Sequence, residues 1–289
     1  MENSFDRKKT IMALRTFYWN TRKVDIVRYY KNKWLMPKNM VFKYGNFGDI
    51  FNKDLIKFLY SEKPLSTKIE GNRLLLVGSI MNELKEQDIV NGIGWKGNDL
   101  SNKASIIESA KVYGVRGPLT KSLFEKYGAD LSSLKFEYDP GLLVKEVYNL
   151  NLNNSEEKNV LFIPHYRDLW VYKGNYPKGI KVISVDNKPK TIAKEILKAK
   201  VVYASSLHGI IFSHALNKPC IFVKPQSEEP FFKYKDYFLS VGLNVPNPIE
   251  NIHQINFKTD RSTCLDKNVG IKDFYFPEKE SLKKAKIII

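Results

Sequence analysis

One short segment of the sequence combines the residue types that anion binding and proton transfer require. Ala204-Ser205-Ser206-Leu207-His208-Gly209 lies between an apolar run typical of a strand and a stretch typical of a helix. This position places His208 at a helix N-terminus, where unpaired N–H groups and the helix dipole favour an anion. Ser205 and Ser206 can add hydroxyl donors, and Gly209 lets the backbone approach a ligand closely. An imidazole there can move a proton to or from a bound anion; the alternative is a capped helix with an incidental histidine.

Two further candidates follow predicted strands. In Ile163-Pro164-His165-Tyr166-Arg167-Asp168, His165 and Arg167 could each face an anion, with Asp168 orienting one of them. A structural histidine beside a proline turn would look the same. Arg116 ends another predicted strand, where its guanidinium can clamp a phosphate or carboxylate through two parallel hydrogen bonds. An interdomain salt bridge is the alternative for this arginine.

Polar residues also stand beside two predicted helix starts. Asn46 and Asp49 precede a helix expected to begin near Phe51, either as acceptors for a ligand or, for Asp49, as a helix cap. Lys233 brings a cation among aromatic residues to the second helix start. An ordinary helix with one core face and one surface face would show much the same pattern.

Composition narrows the classes of protein that could carry these groups. The formal net charge of +16 favours an anionic partner, although a lysine-rich composition also arises without functional meaning. The lysines are spread along the chain without a zinc-finger, RNP-like or basic-zipper pattern, so we expect no nucleic-acid partner. Cys220 and Cys264 are too few for a disulfide framework or a metal site. Since the first ten residues lack the apolar region of a secretory signal, we expect a cytoplasmic protein.

Residues 1–40 are both basic and aromatic. The segment could lie on the anionic inner face of a membrane, which would make the protein peripheral there. We favour the alternative, an amphipathic helix packed on the core. No run in the sequence approaches the roughly 18 apolar residues that a membrane-spanning helix needs.

Short apolar runs alternate with helix-like stretches in the rest of the chain. The predicted strands are 74–77, 111–115, 160–163, 182–185, 201–204 and 220–223, and the predicted helices are 118–127, 191–200 and 210–216. This alternation implies an α/β fold with parallel sheets and right-handed crossovers. The polar stretch 149–159 is a predicted linker between two Rossmann-like domains, 1–150 and 151–289. A central cleft is expected between the carboxyl ends of their strands.

Seven short motifs follow one another in order along the chain. They are Asn46-Phe47-Gly48-Asp49, Leu76-Val77-Gly78-Ser79, Val115-Arg116-Gly117-Pro118-Leu119-Thr120, Asp139-Pro140-Gly141-Leu142, Ile163-Pro164-His165, Ser206-Leu207-His208-Gly209 and Phe232-Lys233-Tyr234-Lys235-Asp236-Tyr237. Together they resemble the polysaccharide pyruvyl transferase family over residues 41–243. The sequence departs from that family at Asn91-Gly92-Ile93-Gly94-Trp95, where Gly-Ser-Gly is usual, and residues 1–40 and 245–289 match no family pattern.

The resemblance implies two Rossmann-type domains in a GT-B-like arrangement. It also implies a transferase that moves the enolpyruvyl skeleton of phosphoenolpyruvate onto a sugar, usually as a ketal across two hydroxyls. The acceptor would be a sugar or lipid-linked oligosaccharide precursor of a capsule or exopolysaccharide, at the inner membrane face. Phosphoenolpyruvate would be the donor substrate, and we expect no other cofactor and no metal.

For that reaction we hypothesise that His208 is the principal acid and base, with Arg116 and His165 holding phosphate or carboxylate. Asn46 and Asp49 would face the sugar from the other domain. The remaining candidate substrate-binding residues are Gly78, Ser79, Arg167, Ser205, Ser206, Leu207, Gly209 and Lys233.

Two other functions would suit the same fold and the same helix-end anion site. One is a GT-B glycosyltransferase that uses a nucleotide-sugar. The other is a non-catalytic protein that binds an anionic polysaccharide or a lipid head group.

Overall fold

The computed structural model describes residues 12–19, 42–69, 71–152 and 158–289. Most of the basic segment 1–40 and the middle of the predicted linker 149–159 lie outside the described residues. Within them, strands and helices alternate as the apolar pattern predicts, and every pair of named strands is parallel. The predicted α/β class is therefore confirmed.

The N-terminal half contains one four-stranded sheet and a strand pair beside it. The sheet has the order β3-β4-β5-β6, and its strands are β3 (Leu74–Leu75), β4 (Ile89–Asn91), β5 (Lys111–Val115) and β6 (Phe136–Glu137). The strand pair consists of β1 (Ala13–Thr16) and β2 (Lys63–Ser66). The helices of this half are α1 (Phe47–Tyr60), α2 (Ala104–Glu108), α3 (Pro118–Lys126) and α4 (Val144–Tyr148).

The C-terminal half contains a second four-stranded sheet, with its strands in the order β10-β9-β7-β8. These are β7 (Asn159–Ile163), β8 (Ile180–Val182), β9 (Ala199–Ala204) and β10 (Cys220–Phe222). The remaining helices are α5 (Asp168–Tyr172), α6 (Pro189–Leu197), α7 (Leu207–Ala215), α8 (Phe232–Ser240) and α9 (Lys279–Lys284). The strand order reverses between β7 and β9, and an open parallel sheet has its ligand crevice at the carboxyl ends of such strands.

Three boundaries differ from prediction in ways that matter for the site. Helix α1 begins at Phe47 rather than near Phe51, so Asp49 lies in its first turn and Asn46 takes the N-cap position. Helix α7 begins at Leu207 rather than at 210, so His208 also lies in a first turn. The strand predicted at 182–185 ends at Val182, and the chain beyond it turns to bind the N-terminal half.

The two halves share one apolar core. Phe212 of α7 contacts Phe47 and Phe51 of α1 edge-on, with each pair of ring centroids 5.2 Å apart. The end of the chain also returns to the N-terminal half, where the Ala13 amide donates to the Ile289 carbonyl at 2.7 Å. The halves are therefore packed together, and the two-domain division at residue 150 stays a prediction.

None of the helices in the described ranges has the length and apolar character needed to cross a bilayer.

Candidate active site

A cavity of about 460 Å³ lies where the carboxyl ends of β7 and β9 face the start of α1. Small-molecule sites typically measure roughly 300–1,000 Å³, so the cavity has the size of a ligand site. Its wall contains Trp19, Phe42, Gly45, Asn46, Asp49, Ser79, Lys96, His165, Tyr166, Arg167, Ser206, Leu207, His208, Glu229 and Lys233. Most of the predicted site residues are therefore brought together, while Arg116, Gly78, Ser205 and Gly209 lie outside the wall.

His208 joins the two halves at this cavity. Its imidazole packs against the first turn of α1, where a Cβ on Gly48 would lie 2.0 Å from Nδ1. On the opposite side of the ring, a Cβ on Gly141 would lie 3.6 Å from Cδ2. Gly48 is helical and has an ordinary φ, so close approach to His208 explains this glycine better than a tight turn does.

Burial lowers the pKa of His208 to about 3, and the positive charges of Arg116 and Lys233 act in the same direction. The Nε2 atom is buried and has no hydrogen-bond partner among the described residues. The imidazole is therefore neutral at pH 7. Before the reaction starts it can accept a proton but does not hold one to donate, and the predicted role of acid and base stays a prediction.

Asp49 is the immediate chain neighbour of the glycine that contacts His208. Its Oδ2 accepts a hydrogen bond from Nδ2 of Asn46 at 3.1 Å. Burial raises the pKa of Asp49 to about 7, against the opposing effects of Lys96, Lys233 and the Asn46 hydrogen bond. A carboxyl with this pKa is partly protonated at neutral pH and can act as a proton donor.

Lys233 and Glu229 form the most heavily charged part of the wall. Nζ of Lys233 donates to Oε1 of Glu229 at 2.6 Å and lies 3.5 Å from Nε2 of His165. Oε2 of Glu229 lies 3.5 Å from Nη1 of Arg167. Burial lowers the pKa of Lys233 to about 8, although Glu229 opposes this shift. Burial and the neighbouring cations hold the pKa of His165 well below its usual range, so this imidazole is neutral as well.

The charges of the wall favour an anionic ligand. Among its described residues, Lys96, Arg167 and Lys233 are cationic, whereas Asp49 and Glu229 are carboxylic. Since Asp49 is partly protonated near neutral pH, the cations are in excess there. The N-terminus of α7 adds N–H groups at the same cavity.

A buried aspartate ties together the loops that carry the C-terminal part of the wall. Oδ2 of Asp168 accepts from Ser205 Oγ at 2.7 Å, and Oδ1 accepts from the Ser227 amide at 3.0 Å. Ser205 Oγ in turn accepts from the amide of His165 at 2.7 Å. Ser205 was predicted to bind substrate, but it lies behind the wall and acts as an internal link. Asp168 holds the backbone around His165, and its Oδ1 also accepts from Ser227 Oγ at 2.9 Å. That hydroxyl lies 3.4 Å from Nδ1 of His165, so through it Asp168 contacts the ring of His165 as well as its backbone.

The start of α7 is explained by Ser206 and Gly209. Ser206 is the N-cap residue, and its Oγ accepts from the Gly209 amide at 3.4 Å. A Cβ on Gly209 would lie 3.2 Å from side-chain atoms of Ala204 and Ile163. Gly209 therefore allows the helix to pack closely on the sheet, which corrects the prediction that it makes room for a ligand.

Arg116 is not a wall residue, and the prediction that it clamps phosphate directly requires correction. Its guanidinium has no exposed surface, and Nε donates to Oδ2 of Asp236 at 2.9 Å. The other two nitrogens donate to Ser79 Oγ and to the Trp95 carbonyl, each at 2.5 Å. A Cβ on Gly94 would lie 2.1 Å from Cζ, so this glycine accommodates the arginine. The salt bridge considered as the alternative is the arrangement that the structure contains.

Gly78 lies just behind the wall, beside Ser79. Its φ of +123° lies in a region that L side chains rarely adopt, and a Cβ there would lie 3.7 Å from Oδ1 of Asp49. Gly78 therefore shapes the turn that carries Ser79 rather than lining the cavity itself.

Sequence reasoning missed several wall residues. Glu229 precedes Lys233 by four residues, a spacing that could have suggested an ion pair. Lys96, Trp19 and Phe42 come from segments that were not predicted to contribute to a site, and Tyr166 lies in a predicted site segment but was not singled out. Their positions depend on how the two halves pack.

The other histidines and cysteines of the described chain do not extend this site. His214 lies in the core, with Nδ1 2.9 Å from Tyr237 Oη and Nε2 2.9 Å from Thr263 Oγ1. Cys220 is buried and Cys264 is exposed, and both are free. Within the described ranges, no group of three or more His, Cys, Asp or Glu side chains could hold a metal ion.

The fold and the site define a parallel α/β protein with a cationic cleft at its strand ends. The family profile described as polysaccharide pyruvyl transferase matches residues 15–227. The chain belongs to the polysaccharide pyruvyl transferase family. The predicted family is thus confirmed, and six of the seven motifs lie inside the matched range. The match begins at residue 15, so the expectation that residues 1–40 fit no family pattern is wrong for 15–40. It contains most of the wall but ends before Glu229, Lys233 and the seventh motif.

Two relatives show how far the similarity extends. Over 211 residues, the chain is 28% identical to uncharacterized protein L143 of Acanthamoeba polyphaga mimivirus. The alignment covers 68% of this chain and 71% of that protein. Over 213 residues, it is 25% identical to the succinoglycan biosynthesis protein ExoV of Rhizobium meliloti. This alignment covers 70% of this chain and 63% of ExoV. No solved structure matches the chain significantly. Together, the family and ExoV support pyruvyl transfer in polysaccharide biosynthesis.

Proposed function

We propose that the protein transfers the enolpyruvyl skeleton of phosphoenolpyruvate to a sugar of a surface polysaccharide precursor and forms a pyruvate ketal. The observation that carries this proposal is that cations, a neutral histidine and a partly protonated carboxyl, contributed by both halves, line the same cavity. Family membership and the name of ExoV support the polysaccharide acceptor.

The cationic wall suits the donor substrate. Phosphoenolpyruvate carries a phosphate and a carboxylate, so it needs at least two positive contacts. Lys96, Arg167 and Lys233 are the wall cations that can supply them, and the N-terminus of α7 adds backbone donors. Arg116 supports the site from behind the wall, because its guanidinium donates to the hydroxyl of the wall residue Ser79 and holds it in place.

The chemistry needs proton transfers that this cavity can support. Ketal formation adds one proton to the methylene carbon of the donor and removes one from each of two sugar hydroxyls. His208 lines the cavity and its imidazole is unprotonated, so it has a lone pair free to accept a hydroxyl proton. Correctly placed acid and base groups each contribute about 10²–10⁴-fold, and fixing both substrates in one cleft contributes more.

The wider setting is part of the same proposal. The two halves would act as a GT-B-like pair, with the acceptor held by the N-terminal half and phosphoenolpyruvate by the C-terminal half. The acceptor would be a sugar or a lipid-linked oligosaccharide of a capsule or exopolysaccharide. A cytoplasmic protein that meets the inner membrane peripherally would reach such an acceptor, and the reaction would need no further cofactor.

The test is phosphate release from phosphoenolpyruvate by the purified protein in the presence of galactose- or hexosamine-type acceptors. We expect release by the wild type and a loss of at least about 10²-fold in His208→Ala. His253→Ala is the matched control, because His253 lies outside the cavity wall and its side chain is exposed. Thermal stabilisation by a uridine or guanosine diphosphate sugar, but not by phosphoenolpyruvate, would replace this proposal with the glycosyltransferase alternative.

A further inference from the structure

The two proton-transfer groups of the cavity come from different halves of the protein. We propose that Asp49 delivers the proton to the methylene carbon of the enolpyruvyl donor and that His208 takes the proton of the attacking hydroxyl. This assignment rests on the proposed function. It replaces the expectation that Asp49 only contacts the sugar.

The geometry that supports this assignment is the contact at Gly48. The imidazole of His208 packs against Gly48 in the first turn of α1, and the next residue in that turn is Asp49. Both side chains line the same cavity. Because Oδ2 of Asp49 accepts the Asn46 hydrogen bond, Oδ1 is the oxygen left to carry a proton. Gly48 is thus a positioning residue, since any larger side chain would separate the pair.

Burial shifts the pKa values of the two groups in opposite directions. Asp49 faces Lys96, Lys233 and Glu229, and its burial outweighs the two lysines, which raises its pKa to about 7. His208 faces Arg116 and Lys233, and burial together with both cations lowers its pKa to about 3. Between these values the carboxyl is protonated and the imidazole is not. Environments that separate two groups in this way are typical of acid and base pairs in enzymes.

The first half of the reaction uses each group once. The O–H bond of Asp49 breaks and the donor's carbon–carbon π pair forms the new C–H bond, which turns the methylene into a methyl group. A sugar hydroxyl attacks the central carbon as positive charge develops there, and its proton passes to His208. The product of this half is a tetrahedral intermediate that still carries the phosphate, with Asp49 ionised and His208 protonated.

The second half returns both groups to their starting states. The bond between the central carbon and the phosphate oxygen breaks with its electron pair on oxygen, and the departing phosphate takes the proton of His208. The second hydroxyl attacks the same carbon and gives its proton to Asp49. One hydroxyl proton thus leaves on phosphate, and the other replaces the Asp49 proton that now lies in the methyl group. No oxidant, reductant or further reactant is needed.

The experiment is the pH dependence of kcat/KM for phosphate release in wild type, Asp49→Asn, Asp49→Glu and His208→Gln. We expect the wild-type rate to fall as pH rises through about 7, because Asp49 loses its proton. In Asp49→Asn we expect kcat/KM to be about 10²–10⁴-fold lower and the decline near pH 7 to be absent. Only the decline near pH 8, where Lys233 deprotonates, should remain. Asp49→Glu should recover part of the rate together with a basic limb of its own. His208→Gln should lose activity while the limb set by Asp49 persists.

The controls separate the role of Asp49 from folding and from the identity of the reaction. Asp130→Asn changes an exposed aspartate that is not part of the cavity wall, and it should match the wild type. Thermal unfolding shows whether Asp49→Asn is folded. If it is not, Asp49→Glu tests the assignment instead: a basic limb that differs from that of the wild type supports it, and an unchanged limb overturns it. A near-wild-type rate or an unchanged basic limb in Asp49→Asn overturns the assignment while leaving phosphoenolpyruvate turnover intact. Absence of phosphate release by the wild type with every acceptor overturns the proposed function and this assignment with it.

Discussion

Nε of Arg116 lies 2.9 Å from Oδ2 of Asp236, and neither side chain has any exposed surface. The arginine directly follows β5 in the N-terminal half, whereas the aspartate lies in α8 of the C-terminal half. Asp236 also accepts from the amides of Leu119 and Thr120 and so caps α3, whose N-cap residue is a glycine without a side chain. One buried carboxylate thus fixes the contact between the halves on which the cavity wall depends.

Replacing Asp236 with alanine should destabilise the protein strongly. The change leaves the Arg116 guanidinium buried without its counter-ion, which typically costs about 3–5 kcal/mol, and it removes the cap of α3. The free energy of unfolding from urea titration measures the effect. Glu250→Ala is the control, because it breaks an exposed ion pair with Lys224 that is worth no more than about 1 kcal/mol. An equal loss of unfolding free energy in the two variants would show that the buried ion pair contributes no more to stability than the exposed one.

Gly48→Ala should reduce activity through the position of His208. Alanine is the better helix former by about 0.5–1 kcal/mol, so helix propensity alone would favour the variant. The added Cβ would lie 2.0 Å from Nδ1 of His208, however, and the ring must move. Because small misplacements of a reacting group are costly, we expect kcat to fall about 10²-fold.

Gly128→Ala provides the control for that variant. It adds the same methyl group where nothing lies within 4 Å, at a φ of +75°. Strain there should lower the melting temperature slightly while leaving kcat unchanged. Equal kcat values for Gly48→Ala and the wild type would contradict the contact with His208.

Lys233→Met should weaken binding of phosphoenolpyruvate and change its pH dependence. Loss of one charge-assisted hydrogen bond predicts a Kd about 10- to 100-fold higher. In the wild type, affinity should fall as pH rises through about 8, since the ammonium loses its charge there. The variant should lack this decline, while Lys235→Met, which alters an exposed lysine on the same helix, should bind normally. Calorimetric titrations between pH 6.5 and 9 measure both effects, and matching curves for Lys233→Met and the wild type would exclude Lys233 from the anion site.

His208→Gln should protect the protein against acid. The pKa of His208 is about 3 in the folded protein and near 6.5 in the unfolded chain. Between these values the unfolded chain binds a proton that the folded protein does not, so this histidine lowers stability as pH falls through that window. The Tm of the variant relative to the wild type should therefore rise steadily from pH 6.5 to 4. Comparison at each pH removes the opposite contributions of Asp49 and Asp139, whose pKa values burial raises. A constant Tm difference would mean that His208 is not a buried neutral group.

The parts of the fold that sequence predicted well are those set by local pattern. β5 occupies the predicted residues, and α3 starts where Pro118 was expected to begin a helix. His165, Ser206 and His208 could be placed in the site because the carboxyl ends of parallel strands meet at one edge of the sheet.

The rest depended on contacts between distant segments. Asp236, which determines the role of Arg116, lies 120 residues away along the chain, so the sequence around the arginine fits a phosphate clamp equally well. The protonation states of Asp49 and His208 are set by burial at the contact between the halves, and no spacing of residues indicates that burial.

The most direct test of the proposed function is mass spectrometry of a sugar acceptor after incubation with phosphoenolpyruvate and the purified protein. A product heavier by one pyruvyl ketal group, formed together with one equivalent of phosphate and absent with His208→Ala, is the predicted result. An acceptor of unchanged mass under conditions in which a nucleotide-sugar donor yields a glycosylated product would contradict it.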